Sequence, residues 1–223
     1  MLPPPGGSIS ESLTRRAVER AVAGRQASYA EELQRIVEAT YRVIERTGTV
    51  DPTLRDILRE CRLSTQAFYR YFTSKDELLL VLLDDGGRRL LGYLSHRMDR
   101  APDAEGRIRA WIGGVLAQAA DDGAAGRTRP FVANEARLAE RFPDEQQASV
   151  DLLTALLVPP IIELTGVRRS DARRDADAIY QLAFGALRRH LTRGTRPTKG
   201  DVEHLERFAL RGVTGTMPAS WGA

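Results

Sequence analysis

The chain has 223 residues, of which 42% are hydrophobic and 28% are charged, and this length suits one small domain and one larger domain. The formal net charge of +3 argues against a protein that binds polyanions over its whole surface, so any nucleic-acid binding has to come from a local patch. The single cysteine excludes an internal disulfide, and no apolar run approaches the ~18 residues of a membrane-spanning helix. Because the first residues also lack the pattern of a secretion signal, we expect a cytoplasmic protein with no membrane segment.

Residues 1–28 are predicted to form a flexible, basic N-terminal extension. Residues 1–10 are rich in proline and glycine, and we expect them to be disordered. Between residues 11 and 27, four arginines stand against two glutamates, and Leu13, Ala17 and Ala21 have the spacing of a short helix. Two interpretations remain open here: a frayed, solvated segment, or a basic arm that follows a DNA backbone or enters its minor groove.

Three short helical patterns follow. The first spans about residues 29–46 and ends before Gly48, a typical residue after a helix. Residues 51–77 then contain two short helices joined by a turn, which is a helix-turn-helix arrangement. Asp51 or Thr53 caps the first of these, and Ser64 caps the second, which is predicted to run to about Tyr71. Residues 74–77 have the S-x-x-E pattern of a capping box that opens a further helix.

The sequence STQAFYRYFTSK, residues 64–75, carries a family resemblance. It resembles the recognition-helix signature VS-x-x-x-LYRHF-x-SK-x-x-L of the TetR family of bacterial transcriptional regulators. Tyr69, Phe72 and Ser74 fall in register with that signature, as does Lys75. The resemblance covers residues 36–82.

The resemblance implies a fold class and a domain organisation. The fold would be all-α, with an N-terminal three-helix helix-turn-helix DNA-binding domain at residues 29–76. A larger helical ligand-binding and dimerisation domain would occupy residues 77–212, followed by a loose tail at residues 213–223.

The predicted DNA contacts divide into base contacts and backbone contacts. At the start of the recognition helix, Gln66 can pair with adenine and the methyl group of Ala67 can contact thymine. The resemblance implies phosphate contacts for Thr53, Tyr69 and Lys75. The whole predicted set is Thr53, Arg55, Ser64, Thr65, Gln66, Ala67, Tyr69, Arg70, Tyr71 and Lys75.

Three positions depart from the family pattern. Arg62 and Gln66 stand where glycine is common, and Ala67 stands where threonine is common. If the position of Arg62 requires a left-handed backbone, the arginine costs about 1–2 kcal/mol. The other two departures leave DNA binding intact and put the base sequence being read beyond prediction.

The rest of the chain is predicted to form further helices, at about residues 74–98, 103–120, 129–141, 144–164, 170–193 and 200–212. Gly86 and Gly87 interrupt the first of them and mark either close helix packing or a hinge. Pro159 and Pro160 must kink or split the fourth, because proline lacks the backbone N–H.

A pocket and a dimer interface are predicted in this half. The candidate effector pocket is Trp111, Phe131, Asn134, Arg137, Leu156, Tyr180 and Phe184, although each of these residues also fits an ordinary core. The candidate dimer interface is Ile179, Ala183, Leu187, Leu205 and Phe208, with packing inside one chain as the competing account.

The sequence therefore predicts a sequence-specific DNA-binding transcriptional regulator. We expect a homodimeric repressor that binds a palindromic, double-stranded operator and is released by an apolar or amphipathic small molecule. The alternatives are an architectural DNA-binding protein that needs no effector, or a helical enzyme with an incidental helix-turn-helix. No nucleophile–base pair, metal-binding spacing or glycine-rich phosphate loop favours an enzyme, so we expect no catalysis, no cofactor and no metal.

Overall fold

The computed structural model describes residues 8–49 and 51–215 and shows an all-helical protein, which confirms the predicted class. The part of the predicted tail beyond residue 215 lies outside these ranges, as do residues 1–7. The helices are α1 Ser8–Thr47, α2 Leu54–Cys61, α3 Thr65–Phe68, α4 Lys75–Asp99, α5 Ala104–Ala120, α6 Asp122–Arg141, α7 Pro143–Ala155, α8 Val158–Thr165, α9 Arg169–Arg193 and α10 Lys199–Thr214.

Helix α1 is longer than predicted. It begins at Ser8 rather than near residue 29 and continues without a break to Thr47. Residues 15–31 are exposed wherever their side chains are described, and burial begins only near Leu33. Alanine, glutamate and arginine, which favour helix, are frequent in this stretch, and proline is absent from it. Local propensity therefore extends the helix well beyond its packed half.

The N-terminal domain is a helix-turn-helix built around one small core. The buried residues are Ile36, Val37, Tyr41, Ile57, Phe68, Phe72, Leu78, Leu79 and Leu82, together with Leu138 from α6. Thr53, not Asp51, caps α2, because its hydroxyl accepts a hydrogen bond from the Asp56 N–H at 3.2 Å. Ser64 caps α3 through the Ala67 N–H at 3.1 Å, as predicted.

Two local features differ from the sequence-based expectation. Helix α3 ends at Phe68 instead of near Tyr71, because the next N–H groups donate three residues back: Tyr71 N–H reaches the Phe68 carbonyl at 2.9 Å. The capping box before α4 is only half formed. Ser74 accepts from the Glu77 N–H at 3.1 Å, but the Glu77 carboxylate accepts from the Thr73 N–H at 2.5 Å, one residue earlier than expected.

Helix α4 joins the two domains, and the larger domain packs around α5. The α4 helix runs without interruption through Gly86 and Gly87, and its first turns belong to the N-terminal core. Trp111 and Ile112 of α5 are fully buried against α4, α6, α8, α9 and α10. Helices α5 and α6 both pack on α4, whose first turns lie in the N-terminal core.

The remaining helix ends have local causes. Helix α6 begins at Asp122, seven residues before the predicted start near Arg129, because Asp121 caps it through the Ala124 N–H at 2.8 Å. Pro159 and Pro160 split the predicted helix as expected, and both fall in the first turn of α8, where no N–H is needed. No single helix in the described ranges is long and apolar enough to span a membrane, although α7 and α8, bent by 40°, pass together on length and composition.

Candidate nucleic-acid interface and adjoining cavity

The N-terminal end of α3 presents the predicted base-reading side chains to solvent. Thr65 and Gln66 are exposed, and Ala67 is half-buried. Because the Ser64 hydroxyl caps the helix, that oxygen already accepts one backbone hydrogen bond. The exposed Gln66 amide can pair with an adenine edge.

Arg62 sets the angle at which α3 leaves α2. Its backbone is left-handed, with φ 56° and ψ 39°, and among the described residues it is the only non-glycine with positive φ. This geometry lets Arg62 N–H reach the Leu58 carbonyl, and Leu63 N–H reaches the same oxygen at 3.1 Å. The turn is thus closed by hydrogen bonds that a left-handed residue makes available.

The predicted phosphate contacts divide into exposed and already paired groups. Tyr69 is 56% exposed, and Arg55 and Arg70 are also exposed. Thr53 donates its hydroxyl to the Asp56 carboxylate at 2.6 Å. A side chain must be exposed to contact the DNA backbone, and Arg55, Tyr69 and Arg70 meet this condition. Their phosphate contacts stay predictions.

Tyr71 and Lys75 each have a carboxylate partner within the protein. The Tyr71 hydroxyl donates to the Glu32 carboxylate, which raises the pKa of Tyr71, and its ring lies 4.6 Å from the ring of Tyr29 on α1. Lys75 Nζ lies 2.7 Å from Asp51 Oδ1, and this hydrogen bond lowers the pKa of Asp51. A phosphate has to compete with Asp51 for Lys75 and with Glu32 for Tyr71.

A charge cluster connects α6 to this surface. Arg137 NH2 lies 3.5 Å from Asp51 Oδ1 and 3.4 Å from Asp76 Oδ1, and Arg141 NH1 lies 3.0 Å from Asp76 Oδ2. We call Asp51, Lys75, Asp76, Arg137 and Arg141 the interdomain charge cluster. Arg137, predicted to line a pocket, instead pairs with two carboxylates of the DNA-binding domain.

A cavity of about 500 Å³ lies where the two domains meet. Of the seven predicted pocket residues, Phe131, Tyr180 and Phe184 line it. The rings of Tyr180 and Phe184 are stacked at 4.2 Å, and burial raises the pKa of Tyr180 to about 12. The Tyr180 hydroxyl therefore stays protonated and can donate or accept a hydrogen bond.

The other predicted pocket residues have structural roles. Trp111 is fully buried, and its indole N–H donates to the Leu153 carbonyl at 3.1 Å. Asn134 Nδ2 donates to the Pro130 carbonyl at 2.7 Å within α6. Leu156 packs against the core of the larger domain. None of these three residues lines the cavity. The sequence did not distinguish them from lining residues, because an apolar helix face has the same pattern whether it meets a core or a cavity.

Polar residues that were not predicted complete the cavity wall. Tyr41 of α1 lines it and donates its hydroxyl to the Leu82 carbonyl at 3.0 Å. Three arginines line it as well, each with a carboxylate partner: Arg89 with Asp85 at 3.0 Å, Arg127 with Glu45 at 2.8 Å, and Arg188 with Glu135 at 2.7 Å. Gly86 and Gly87, which the sequence marked as a site of close packing or a hinge, line the cavity as well.

Comparison with known proteins identifies the helix-turn-helix domain. The sequence profile described as "Bacterial regulatory proteins, tetR family" matches residues 36–82. This domain belongs to the TetR family. Residues 36–82 thus form a helix-turn-helix domain of the kind found in bacterial regulatory proteins.

Solved structures share the fold over most of the chain. A TetR transcription regulator from Haloarcula marismortui has 20% identity and a TM-score of 0.61, over 85% of this chain and all (100%) of that one. A TetR-family regulator from Streptomyces coelicolor has 19% identity and a TM-score of 0.57, over 82% and 98% of the two chains. FadR from Bacillus subtilis, in complex with stearoyl-CoA, has 15% identity and a TM-score of 0.57, over 83% and 99%. No curated protein matches the chain.

Three of the five predicted dimer residues require correction. Ile179, Ala183 and Leu187 are buried in the core of their own chain, so they offer no surface to a second copy. Leu205 is half-buried against the same core, and only Phe208 is freely exposed, at 57%. The reason is that α9 carries its main apolar stripe inward, toward α5.

Proposed function

We propose that this TetR-family protein is a ligand-released repressor that binds a palindromic operator as a homodimer. The observation that supports the proposal best is the position of the cavity. Its wall contains Tyr41 from α1 of the DNA-binding domain and Gly86 from α4, the helix that begins at Lys75. A ligand in this cavity touches the larger domain and the DNA-binding domain at once, so binding can favour one arrangement of the two over another.

The lining favours an amphipathic ligand that carries an anionic group. Phe131, Tyr180 and Phe184 offer an apolar surface, and the three lining arginines offer donors to an acid group. Each arginine now has a carboxylate partner, so an anionic ligand would exchange one ion pair for another. The structurally similar FadR is seen with stearoyl-CoA, which combines an apolar chain with anionic groups.

DNA recognition would divide among the residues around α3. We assign base contacts to Thr65, Gln66 and Ala67, and phosphate contacts to the exposed Arg55, Tyr69 and Arg70, with Thr53, Ser64, Tyr71 and Lys75 at the edges of the same surface. This assignment treats the N-terminal end of α3 as the part that enters the major groove.

A two-fold dimer would use the outward face of α9 and α10. Leu182 is 36% exposed and Phe208 is 57% exposed, and Ala178 and Gly185 lie on the same face of α9 as Leu182. Small and apolar residues of this kind allow close helix packing between copies. Two recognition helices about 34–36 Å apart would then read successive major grooves.

The test combines operator selection with a cavity-blocking variant. DNA fragments bound by the purified protein are sequenced, with and without fatty acids and their acyl thioesters. We expect a common inverted-repeat motif, and at least one amphiphile that reduces its recovery. Selection of no common motif would contradict specific recognition.

Gly86→Leu and Gly92→Leu provide matched variants on α4. Gly86 lines the cavity, and a Cβ atom added there would lie 3.6 Å from Phe131 and from Tyr41. A Cβ atom added at Gly92 would have no such neighbour within 4 Å. We expect Gly86→Leu to bind operator but resist release by the amphiphile, while Gly92→Leu responds as the unaltered protein does. If both variants respond equally, the ligand does not act through this cavity.

The architectural alternative predicts no sensor cavity, and the cavity therefore favours the repressor. Operator affinity that no amphiphile changes would favour the architectural protein instead.

A further inference from the structure

The three ion pairs at the cavity wall differ in the helices that they join. Arg89 pairs within α4, with an aspartate four residues earlier on the same helix. Arg188 of α9 pairs with a glutamate of α6, so that pair lies within the larger domain. Arg127 of α6 pairs with Glu45 of α1, with 2.8 Å between Arg127 Nε and Glu45 Oε1. Of the three, only the Arg127–Glu45 pair joins the larger domain to α1 of the DNA-binding domain.

The three arginines also differ in the nitrogen that each one uses. Arg89 and Arg188 bind their carboxylates through Nη2. That nitrogen belongs to both nitrogen pairs with which a guanidinium can hold a carboxylate by two parallel hydrogen bonds. Arg127 uses Nε instead, and no partner among the described residues takes its two terminal nitrogens. The end of the Arg127 guanidinium can therefore hold a second acid group.

The Arg127–Glu45 pair lies one helical turn from the apolar wall of the cavity. Arg127 precedes Phe131 by four residues on α6, so the two share a helix face. Glu45 follows Tyr41 by four residues on α1 in the same way. A Cβ atom added at Gly86 would lie 3.6 Å from both Phe131 and Tyr41, so these two aromatic residues meet at one place. The side chains of Arg127 and Glu45 are 49% and 40% exposed, which puts an acid group bound there in reach of water while its chain lies along the aromatic wall.

We propose that Arg127 receives the carboxylate of a long-chain aliphatic acid, and that this ligand competes with Glu45 for the arginine. The inference rests on the proposed ligand binding in the cavity, and it assigns the acid group to one of the three arginines. A second carboxylate at Arg127 shares the positive charge that attracts Glu45, so the attraction between α6 and α1 weakens. The operator-bound form keeps the pair, and the ligand favours an arrangement in which the pair is broken.

The first test is a calorimetric titration of the full chain with dodecanoate, and with dodecanol as a neutral probe of the same chain length. We expect Glu45→Gln to bind dodecanoate about two- to fivefold more tightly, because the competing carboxylate of a half-exposed pair is gone. Arg127→Gln should bind dodecanoate about tenfold more weakly, because it loses hydrogen bonds to a charged group. Both variants should bind dodecanol as the unaltered protein does, which shows that they keep the cavity.

Two other glutamates provide the comparison. Glu163→Gln is the matched control, because Glu163 pairs with Arg107 in the larger domain and neither residue lines the cavity. It should leave the affinity for dodecanoate unchanged. Glu135→Gln removes the partner of Arg188. A gain in Glu135→Gln that equals or exceeds the gain in Glu45→Gln would assign the acid group to Arg188 and overturn the inference, as would unchanged dodecanoate affinity in Arg127→Gln.

The second test measures operator affinity with and without saturating dodecanoate. We expect the ratio of the two affinities to fall about twofold or more in Glu45→Gln, because the ligand no longer has an ion pair to disturb. The ratio should stay unchanged in Glu163→Gln. Release from Glu45→Gln that equals release from the unaltered protein would overturn the inference and leave the repressor proposal standing.

The opposite failure is distinguishable. If the variants change dodecanoate affinity as expected but no amphiphile changes operator affinity, Arg127 remains the acid site and the ligand-released repressor fails. If dodecanoate does not bind the unaltered protein at all, the inference is overturned, whereas operator selection still tests the repressor.

Discussion

At the scale of single residues, Arg62 stores backbone strain in the turn of the helix-turn-helix. Its φ of 56° costs a residue with a side chain about 1–2 kcal/mol relative to glycine. Glycine also loses more freedom on folding, which offsets part of that difference. We expect Arg62→Gly to raise the free energy of unfolding by about 0.5–1 kcal/mol, measured by urea denaturation.

Arg59→Gly is the control for this substitution. Arg59 is exposed in the last turn of α2, where the backbone is helical, so glycine there should lower stability by about 1 kcal/mol. Two changes of the same type, three residues apart, should thus have opposite signs. A loss of stability in Arg62→Gly would show that the arginine side chain makes a compensating contact.

Substitutions of Lys75 and of its partner Asp51 should have opposite effects on DNA affinity. Lys75→Ala should weaken binding to all sequences alike and lower the salt slope by about one, since a phosphate contact carries no base information. Asp51→Asn removes the competing carboxylate 2.7 Å from Lys75 Nζ, so it should strengthen binding by about 0.5–1 kcal/mol. Fluorescence anisotropy titrations on operator and random duplex measure both, and equal behaviour of the two variants would contradict the phosphate role of Lys75.

The local features of the DNA-binding domain were predictable because their partners lie close in sequence. Thr53 and Ser64 cap helices through N–H groups three residues away, and Ser74 does the same. Such a local pattern does not show carboxylates elsewhere in the sequence that compete with phosphate for the same side chains. The hydrogen bond from Tyr71 to Glu32 spans 39 positions, and the one from Lys75 to Asp51 spans 24. Motif matching therefore predicted a set of DNA contacts without showing that two of these residues, Tyr71 and Lys75, are already paired within the protein.

At the scale of helices, α9 shows why apolar stripes predict burial better than they predict partners. Ile179, Ala183 and Leu187 form the stronger stripe and face the chain's own core. Leu182, between them in sequence, points outward. A helix packed on two sides has two apolar faces, and the sequence does not say which one meets the same chain.

Leu182→Arg should separate the proposed dimer. Burying an unpaired charge in a helix–helix interface is costly, so we expect sedimentation to show monomers and operator affinity to fall steeply. Leu152→Arg on α7 is the control, because Leu152 is 53% exposed and lies outside the proposed face. A dimer that survives Leu182→Arg would place the interface elsewhere.

At the scale of the whole molecule, the interdomain charge cluster and the cavity share α6. Phe131 lines the cavity, and Arg137 and Arg141 of the same helix reach Asp51 and Asp76 at the DNA-binding domain. A shift of α6 on ligand binding would therefore move both charges relative to the DNA-binding domain. This arrangement gives the proposed release a physical route through one helix.

Arg137→Gln/Arg141→Gln should reduce the coupling between ligand and DNA. We expect the difference in operator affinity between ligand-free and saturated protein to shrink by roughly 0.5–2 kcal/mol. Arg129→Gln, also exposed on α6, should leave it unchanged. Titrations at zero and saturating amphiphile measure the effect, and undiminished coupling in the double variant would exclude the cluster from the route.

The cavity was only partly predictable, because it forms where distant helices meet. Tyr41 and Tyr180 belong to α1 and α9, and only the tertiary packing brings both to one wall. Phe131 and Phe184 were found because large aromatic residues favour pockets, but Trp111 satisfied the same criterion and lies in the core. Arg127 gave no signal, since its partner Glu45 is 82 positions away.

Helix α1 has a mechanical consequence, because Tyr41 in the cavity wall and Arg16 near the other end lie on one unbroken helix. At about 1.5 Å per residue, these positions are roughly 38 Å apart along the axis. A tilt of about 10° around Tyr41 would therefore move the backbone at Arg16 by about 6–7 Å. Because the helix is unbroken, a small change in cavity shape would become a displacement of several ångström at its far end.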